Sequence, residues 1–194
     1  MGSSKKTCFV ICPIGKENSE IRKNADLLIK YIISPTVEKL GYETPLRSDF
    51  IPNPGTITSQ IIENLIGSDL VIADLSSGNP NVFYELAVRH VTQKPCIHIV
   101  KSDDKIPFDT SPNRTIKYNL DLDGVEKAKS VLEEQIKSFI PGKNEVDNPI
   151  GIALTMKDLK GSGDSMQIIM AELTEEVREL KGEMRSFQSI YNEN

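Results

Sequence analysis

The sequence has no tryptophan, two histidines, three cysteines and no apolar run of eighteen residues. The cysteines, Cys8, Cys12 and Cys96, are odd in number and form no CxxC pair, which excludes a disulfide framework and argues against a thiolate metal cage. They read as buried, reduced thiols of a cytoplasmic chain with no metal. Without a long apolar run there is no membrane-spanning helix, and the start MGSSKK is too polar for a signal peptide. Residues 1–6 read as a tag or disordered start, with Met-Gly-Ser-Ser an expression remnant rather than a lipidation signal at Gly2. Basic residues are scattered against a net charge of -5, so no nucleic-acid surface is expected. No GxGxxG loop occurs, which excludes ordinary hydride-transfer use of NAD.

What is present suits one globular domain with an appendage: 194 residues, 38% hydrophobic and 26% charged. The most informative stretch is ADLSSGNPNVFYELAVRH, Ala73 to His90. Before and into it, Asp69 to Asp74 is a short apolar run closed by a carboxylate, the pattern of a buried parallel strand. After the polar loop Ser76-Ser-Gly78, Asn79 is an N-cap and Pro80 suits the first helical position, so the spacing predicts a helix through Val91. Its Val82, Phe83, Leu86 and His90 should face the sheet, while Asn81 and Glu85 share the other face one turn apart. Asp74 and Glu85 then converge on a crevice beyond the carboxyl ends of the strands, where open α/β sheets bind ligands. Spacing alone leaves open that Asp74 and Asn79 only cap the loop and that Glu85 is a solvated helix residue.

The rest of the chain alternates strand and helix. Thr7 to Cys12 predicts a buried first strand, ending in the turn Pro13-Ile14-Gly15. Apolar spacing predicts a helix from Glu20 to Leu40, kinked or broken near Ser34-Pro35 and ended by Gly41. Within it Arg22 and Asp26 read as a surface ion pair, the other reading being an arginine aimed at an anion. Tyr42 to Arg47 is a second strand ending in Arg47, Ser48 and Asp49, followed by a loop and a helix from Thr56 to Ile66. Pro95 to Val100 and Thr115 to Asn119 complete five strands, and Val125 to Phe139 is the last helix of the domain. This pattern predicts a flavodoxin-like, doubly wound parallel sheet ordered 2-1-3-4-5 over residues 7–140.

Residues 141–165 read as a connector with one apolar island, Ile150 to Met156. Beyond it Met166, Met170, Leu173, Val177, Leu180, Met184, Phe187 and Tyr191 form a heptad seam about 40 Å long at 1.5 Å per residue. Residues 166–191 are therefore expected to form a coiled-coil helix and a homo-oligomer, with Glu176 pairing Lys181 of a parallel partner.

The order CFVICPIG, IRKNADLL, ETPLRSD, LVIADLSSGNPNVFYELAVRH and IPFDTSPNRTIKY resembles the nucleoside 2-deoxyribosyltransferase and TIR-like superfamily, and is most similar to its bacterial TIR-like branch. The resemblance spans about residues 7 to 140 and is most specific between Asp74 and Glu85. It implies that Glu85 is catalytic and that Asp74 contacts ribose. It further implies that Asn81, Pro13, Ile14, Gly15 and the Arg47 to Asp49 segment border the ligand, and Asn79 belongs to the same expected set. The implied activity is cleavage of the nicotinamide–ribose bond of NAD, with NAD as substrate and no cofactor, in a site often completed between subunits and commonly serving antiphage defence. The alternatives are exchange of bases on deoxyribose and a nucleotide-sensing module without turnover. One departure is that no aromatic residue is evidently placed to stack on nicotinamide.

Overall fold

A computed structural model describes residues 5–50, 57–105, 115–139, 148–161, 164 and 166–169. Its centre is a parallel sheet of β1 (Cys8–Ile11), β2 (Leu46–Arg47), β3 (Leu70–Asp74), β4 (Cys96–Lys101) and β5 (Ile116–Tyr118). The order is β2-β1-β3-β4-β5, as the regular alternation predicts. Every residue of β1 and β3 is buried, which explains why neither shows polar alternation. The register sets Ile11 beside Ala73 and Asp74 beside Ile99, so the strands end together on one edge.

Because side chains alternate along a strand, the sheet supports two separate apolar layers. Val10, Ile72, Ile97 and Ile99 pack on one face with α1 (Glu20–Leu28), α2 (Ser34–Lys39) and α5 (Leu122–Ser138). Phe9, Ile11, Val71 and Ala73 pack on the other with α3 (Ile57–Gly67) and α4 (Pro80–Val91). Each fully buried Leu or Ile in these layers contributes about 1.5–3 kcal/mol through removal from water.

Where the sequence predicts a kink or break near Ser34-Pro35, the helix does not break but passes through a widened turn. Ile29–Ile33 is π-helical and links α1 to α2 without interruption. The wider turn makes room for the Pro35 ring, and the Thr36 hydroxyl donates to the Ile32 carbonyl at 2.6 Å. Gly41, at φ +86°, then turns the chain out of α2. The second strand is shorter than predicted, since Pro45 has no N–H for a ladder; Tyr42 joins only by an isolated bridge to Lys6.

The chain divides into two units, residues 1–148 and 149–194. In the second, the apolar island expected inside a connector forms a helix, α6 (Pro149–Gly161), with proline at its first position. Residues 166–169 are helical, and the remainder of the heptad seam lies outside the described residues, as do the loop 51–56 and residues 1–4. No described helix is long and apolar enough to cross a membrane.

Candidate active site

At the carboxyl end of β3, Asp74 is only 2% exposed. Its Oδ1 accepts from the Ser76 N–H at 3.1 Å and from the Ser76 hydroxyl at 2.5 Å, and its Oδ2 accepts from the Tyr118 hydroxyl at 3.5 Å. Ser76 Oγ in turn accepts the Lys101 N–H at 2.9 Å. Burial pushes the Asp74 carboxyl up to about 6, despite the opposing hydrogen bonds from Ser76. The following residues turn sharply: Ser77 and Gly78 sit at φ 61° and 59°, and the Ser77 N–H donates to Asp104 at 2.8 Å. A left-handed serine there is a small backbone strain in a loop that lines the cleft beside Asp74.

Beside Asp74 opens a cleft of about 200 Å³, lined also by Pro13, Glu20, Ile21, Asn24, Ser76, Ser77, Lys101, Asp104 and Tyr118. It lies on the α1 side of the sheet end. Carboxylates, hydroxyls, an amide and one ammonium alternate around it, a lining that satisfies a polyhydroxylated ligand such as a sugar.

Glu85 approaches the same edge from α4. Asn79 caps that helix by accepting the Asn81 N–H at 2.9 Å, with Pro80 first, as the sequence predicts. Val82, Leu86 and His90 are buried and Phe83 is partly so. Glu85 is partly buried, and among the described residues its carboxyl has no hydrogen bond or ion pair. Burial alone pushes it up to about 7. It does not line the cleft. It does act on Cys12, just beyond β1, whose thiol is raised to about 12 by burial, with Asp74, Asp49 and Glu85 adding and Arg47 opposing. Asp74 thus lines the cleft, while Glu85 stands on α4 outside it, and both act on the Cys12 thiol. Strand order reverses between β1 and β3, the place where open sheets bind ligands.

The other expected ligand residues divide. Pro13 lines the cleft with Asp74. Arg47 is 1% exposed and its guanidinium is committed to the chain itself. Nη1 donates to Asp26 at 2.6 Å, while Nε and Nη2 donate to Asp49 at 2.5 and 3.0 Å. Arg22 reaches Asp49 at 2.5 Å and Asp26 at 3.7 Å, so the pair read as a surface contact belongs to a four-charge network joining α1 to the end of β2. Neither Arg47 nor Asp49 lines the cleft. Gly15 serves a close approach within the chain: a Cβ there would lie 2.3 Å from Ser19 Oγ and 2.9 Å from Ile21 Cβ, at the start of α1. Ile14 is 45% exposed, and Asn79 and Asn81 lie off the cleft, their contact being the helix cap. Sequence reasoning missed Tyr118, Ser76, Lys101 and Asp104; the available signal was that residues at and just past the carboxyl ends of β3, β4 and β5 gather on one edge of a parallel sheet.

The opposite edge holds Arg89, buried and unanticipated. Its Nη1 donates to the carbonyls of Leu65 and Ser68 at 2.6 and 2.9 Å, and its Nη2 to those of Pro95 and Asp69 at 2.9 and 3.4 Å. It thereby serves the carbonyls at and just past the end of α3. Asp69 accepts the Thr7 N–H at 2.7 Å and returns its own N–H to the Thr7 hydroxyl, and the Thr7 N–H holds its carboxyl below the usual range. Metal-ligating side chains converge at one group among the described residues, His90, Cys96 and His98, away from the cleft. Burial pushes both histidines down to about 4, so their rings are neutral near pH 7.

No protein-family model matches the chain, and no curated protein matches it.

Proposed function

We propose that the protein cleaves the nicotinamide–ribose bond of NAD, with Glu85 as the carboxylate that meets the anomeric carbon and Asp74 as the acceptor for ribose hydroxyls. The observation that carries this reading is Glu85 itself, a partly buried carboxyl raised to about 7 with no partner among the described residues, at the ligand-binding edge of the sheet. Such a group costs folding free energy, and sites of chemistry are where that cost is retained. The order of motifs that resembles the TIR-like branch supports the same assignment.

The chemistry follows from one carboxylate. As the bond from C1′ to the nicotinamide nitrogen breaks, its electron pair passes to the ring, so the cationic base leaves neutral and needs no acid. Ionised Glu85 stabilises the oxocarbenium-like ribose left behind. Water then adds its oxygen to C1′ and gives its proton to Glu85, yielding ADP-ribose; attack by a nitrogen of the adenine gives a cyclic nucleotide instead. A cleft of about 200 Å³ takes one ribose, below the roughly 300–1,000 Å³ of a whole-ligand pocket. Assembly through the heptad seam would bring neighbouring sites together, in keeping with a switchable NAD-consuming defence protein.

One observation favours a second reading. Glu85 stands off the cleft that holds Asp74, as it would in a nucleotide-binding module without turnover. Incubation with NAD, and separately with deoxynucleosides and a free base, separates the readings. Nicotinamide release supports the proposal, base exchange assigns the site to deoxyribosyl transfer, and saturable binding with neither product supports the module.

A further inference from the structure

His90, near the end of α4, faces Cys96 and His98 of β4. Positions two apart on a strand share a side, and Cys96 packs against the apolar layer that α4 covers. Their ligand atoms all lie within 4.8 Å of one another. The two histidine Nε2 atoms are 3.3 Å apart, with ring centroids separated by 5.4 Å and planes tilted by 37°. The rings thus meet by their nitrogen tips rather than their faces. A tetrahedral ion with Zn–N bonds of about 2.0–2.1 Å separates two nitrogens by about 3.3–3.4 Å and a nitrogen and sulfur by about 3.6 Å. A hydrogen bond between two neutral rings accounts for the nitrogen contact alone; the Cys96 sulfur lies within 4.8 Å of a nitrogen of each ring, so a shift of about 1 Å brings it to the spacing a bound ion requires.

We infer that His90, Cys96 and His98 form a binding site for a zinc-class divalent metal ion. Two imidazoles and a thiolate are borderline-soft donors, which favour zinc over magnesium or calcium. On binding, the Cys96 S–H bond breaks and the S–metal bond forms, with the proton released to solvent. His90 is buried and Cys96 and His98 are intermediate in exposure, and the three side chains supply three of the four ligands that zinc takes. Cys96 opens β4 and Lys101 closes it at the cleft, five residues or about 17 Å further along at 3.3 Å each. The ion is therefore a tie between α4 and β4, outside the chemistry proposed for Glu85 and independent of it.

The test is titration of Co²⁺ into the full chain, stripped by chelator under reducing conditions. The expected result is one ion per chain, intense visible bands of four-coordinate cobalt, a thiolate charge-transfer band in the near ultraviolet, and loss of all of them on adding Zn²⁺. Cys96→Ala should abolish the charge-transfer band, and His98→Ala should weaken binding at least tenfold. Weak octahedral bands without charge transfer, or a band that persists in Cys96→Ala and so belongs to another thiol, would overturn the site. X-ray absorption of the zinc-loaded wild-type protein decides without any variant: one sulfur at about 2.3 Å with imidazole nitrogens at about 2.0–2.1 Å supports it, and a shell of oxygen and nitrogen alone refutes it.

Discussion

At the amino-terminal edge of the sheet, Arg89 donates to four carbonyls while Thr7 and Asp69 exchange hydrogen bonds. At the carboxyl-terminal edge, Asp74 and Glu85 are both raised by burial, to about 6 and about 7, and Glu85 has no partner among the described residues. Both edges bury charge, but at the first both terminal nitrogens of Arg89 donate to carbonyls, its Nε alone being buried without a partner, and the contacts stabilise the fold. The second holds Asp74 by three hydrogen bonds but leaves Glu85 without a partner among the described residues, which costs stability. The difference teaches where to look for function: at the buried charges that the fold does not satisfy, rather than at buried charge as such.

The largest effect should come from breaking the satisfied edge. Arg89→Met removes the guanidinium from the carbonyls of Leu65, Ser68 and Asp69 and leaves that of Pro95 with the Val71 N–H alone, and should lower unfolding free energy by about 3 kcal/mol or more in urea denaturation. A loss below about 1 kcal/mol would mean that water replaces the guanidinium, and the contrast between the edges would vanish. Gly15→Ala forces a methyl group against Ser19 and Ile21 and should cost about 1–3 kcal/mol, through crowding of the α1 start. An unchanged midpoint would return Gly15 to the role of a ligand-facing turn.

The smallest effect has the opposite sign. Because the Glu85 carboxyl titrates near 7 in the folded chain against an ordinary 4.5, the unfolded chain gives up this proton first as pH rises. Stability from this group is fully present below about 4.5 and is lost as pH rises through about 7. Glu85→Gln removes that loss, so the variant should gain on the order of 1 kcal/mol at pH 8 and nothing at pH 4. Destabilisation at pH 8 would show that the ionised carboxylate has a favourable partner, contrary to the contrast drawn between the edges.

Local chemistry made much of this legible. The unbroken apolar run at β3 betrayed a strand buried on both faces, and the Asn79-Pro80 pair marked the start of α4. What could not be read is long-range. Tyr118 meets Asp74 across 44 positions and Arg47 meets Asp26 across 21, contacts fixed by sheet register and helix packing rather than by any local pattern. For the same reason Arg47 read as a ligand-facing cation when Asp26 and Asp49 already occupy it, and Cys96 and His98 showed no sign of His90 opposite. The island in the connector was missed because Gly, Pro and Asn dominate around it, while Pro149 opens a helix there.

The central claim is that Glu85 is left uncompensated for the sake of bond cleavage. Nicotinamide release from NAD by wild type and Glu85→Gln, from pH 5 to 8 and at several protein concentrations, tests it most directly. The account predicts wild-type turnover that rises with pH through about 7, as Glu85 ionises, and at least a hundredfold loss in a Glu85→Gln protein that remains folded. A Glu85→Gln protein that releases nicotinamide at the wild-type rate would contradict it.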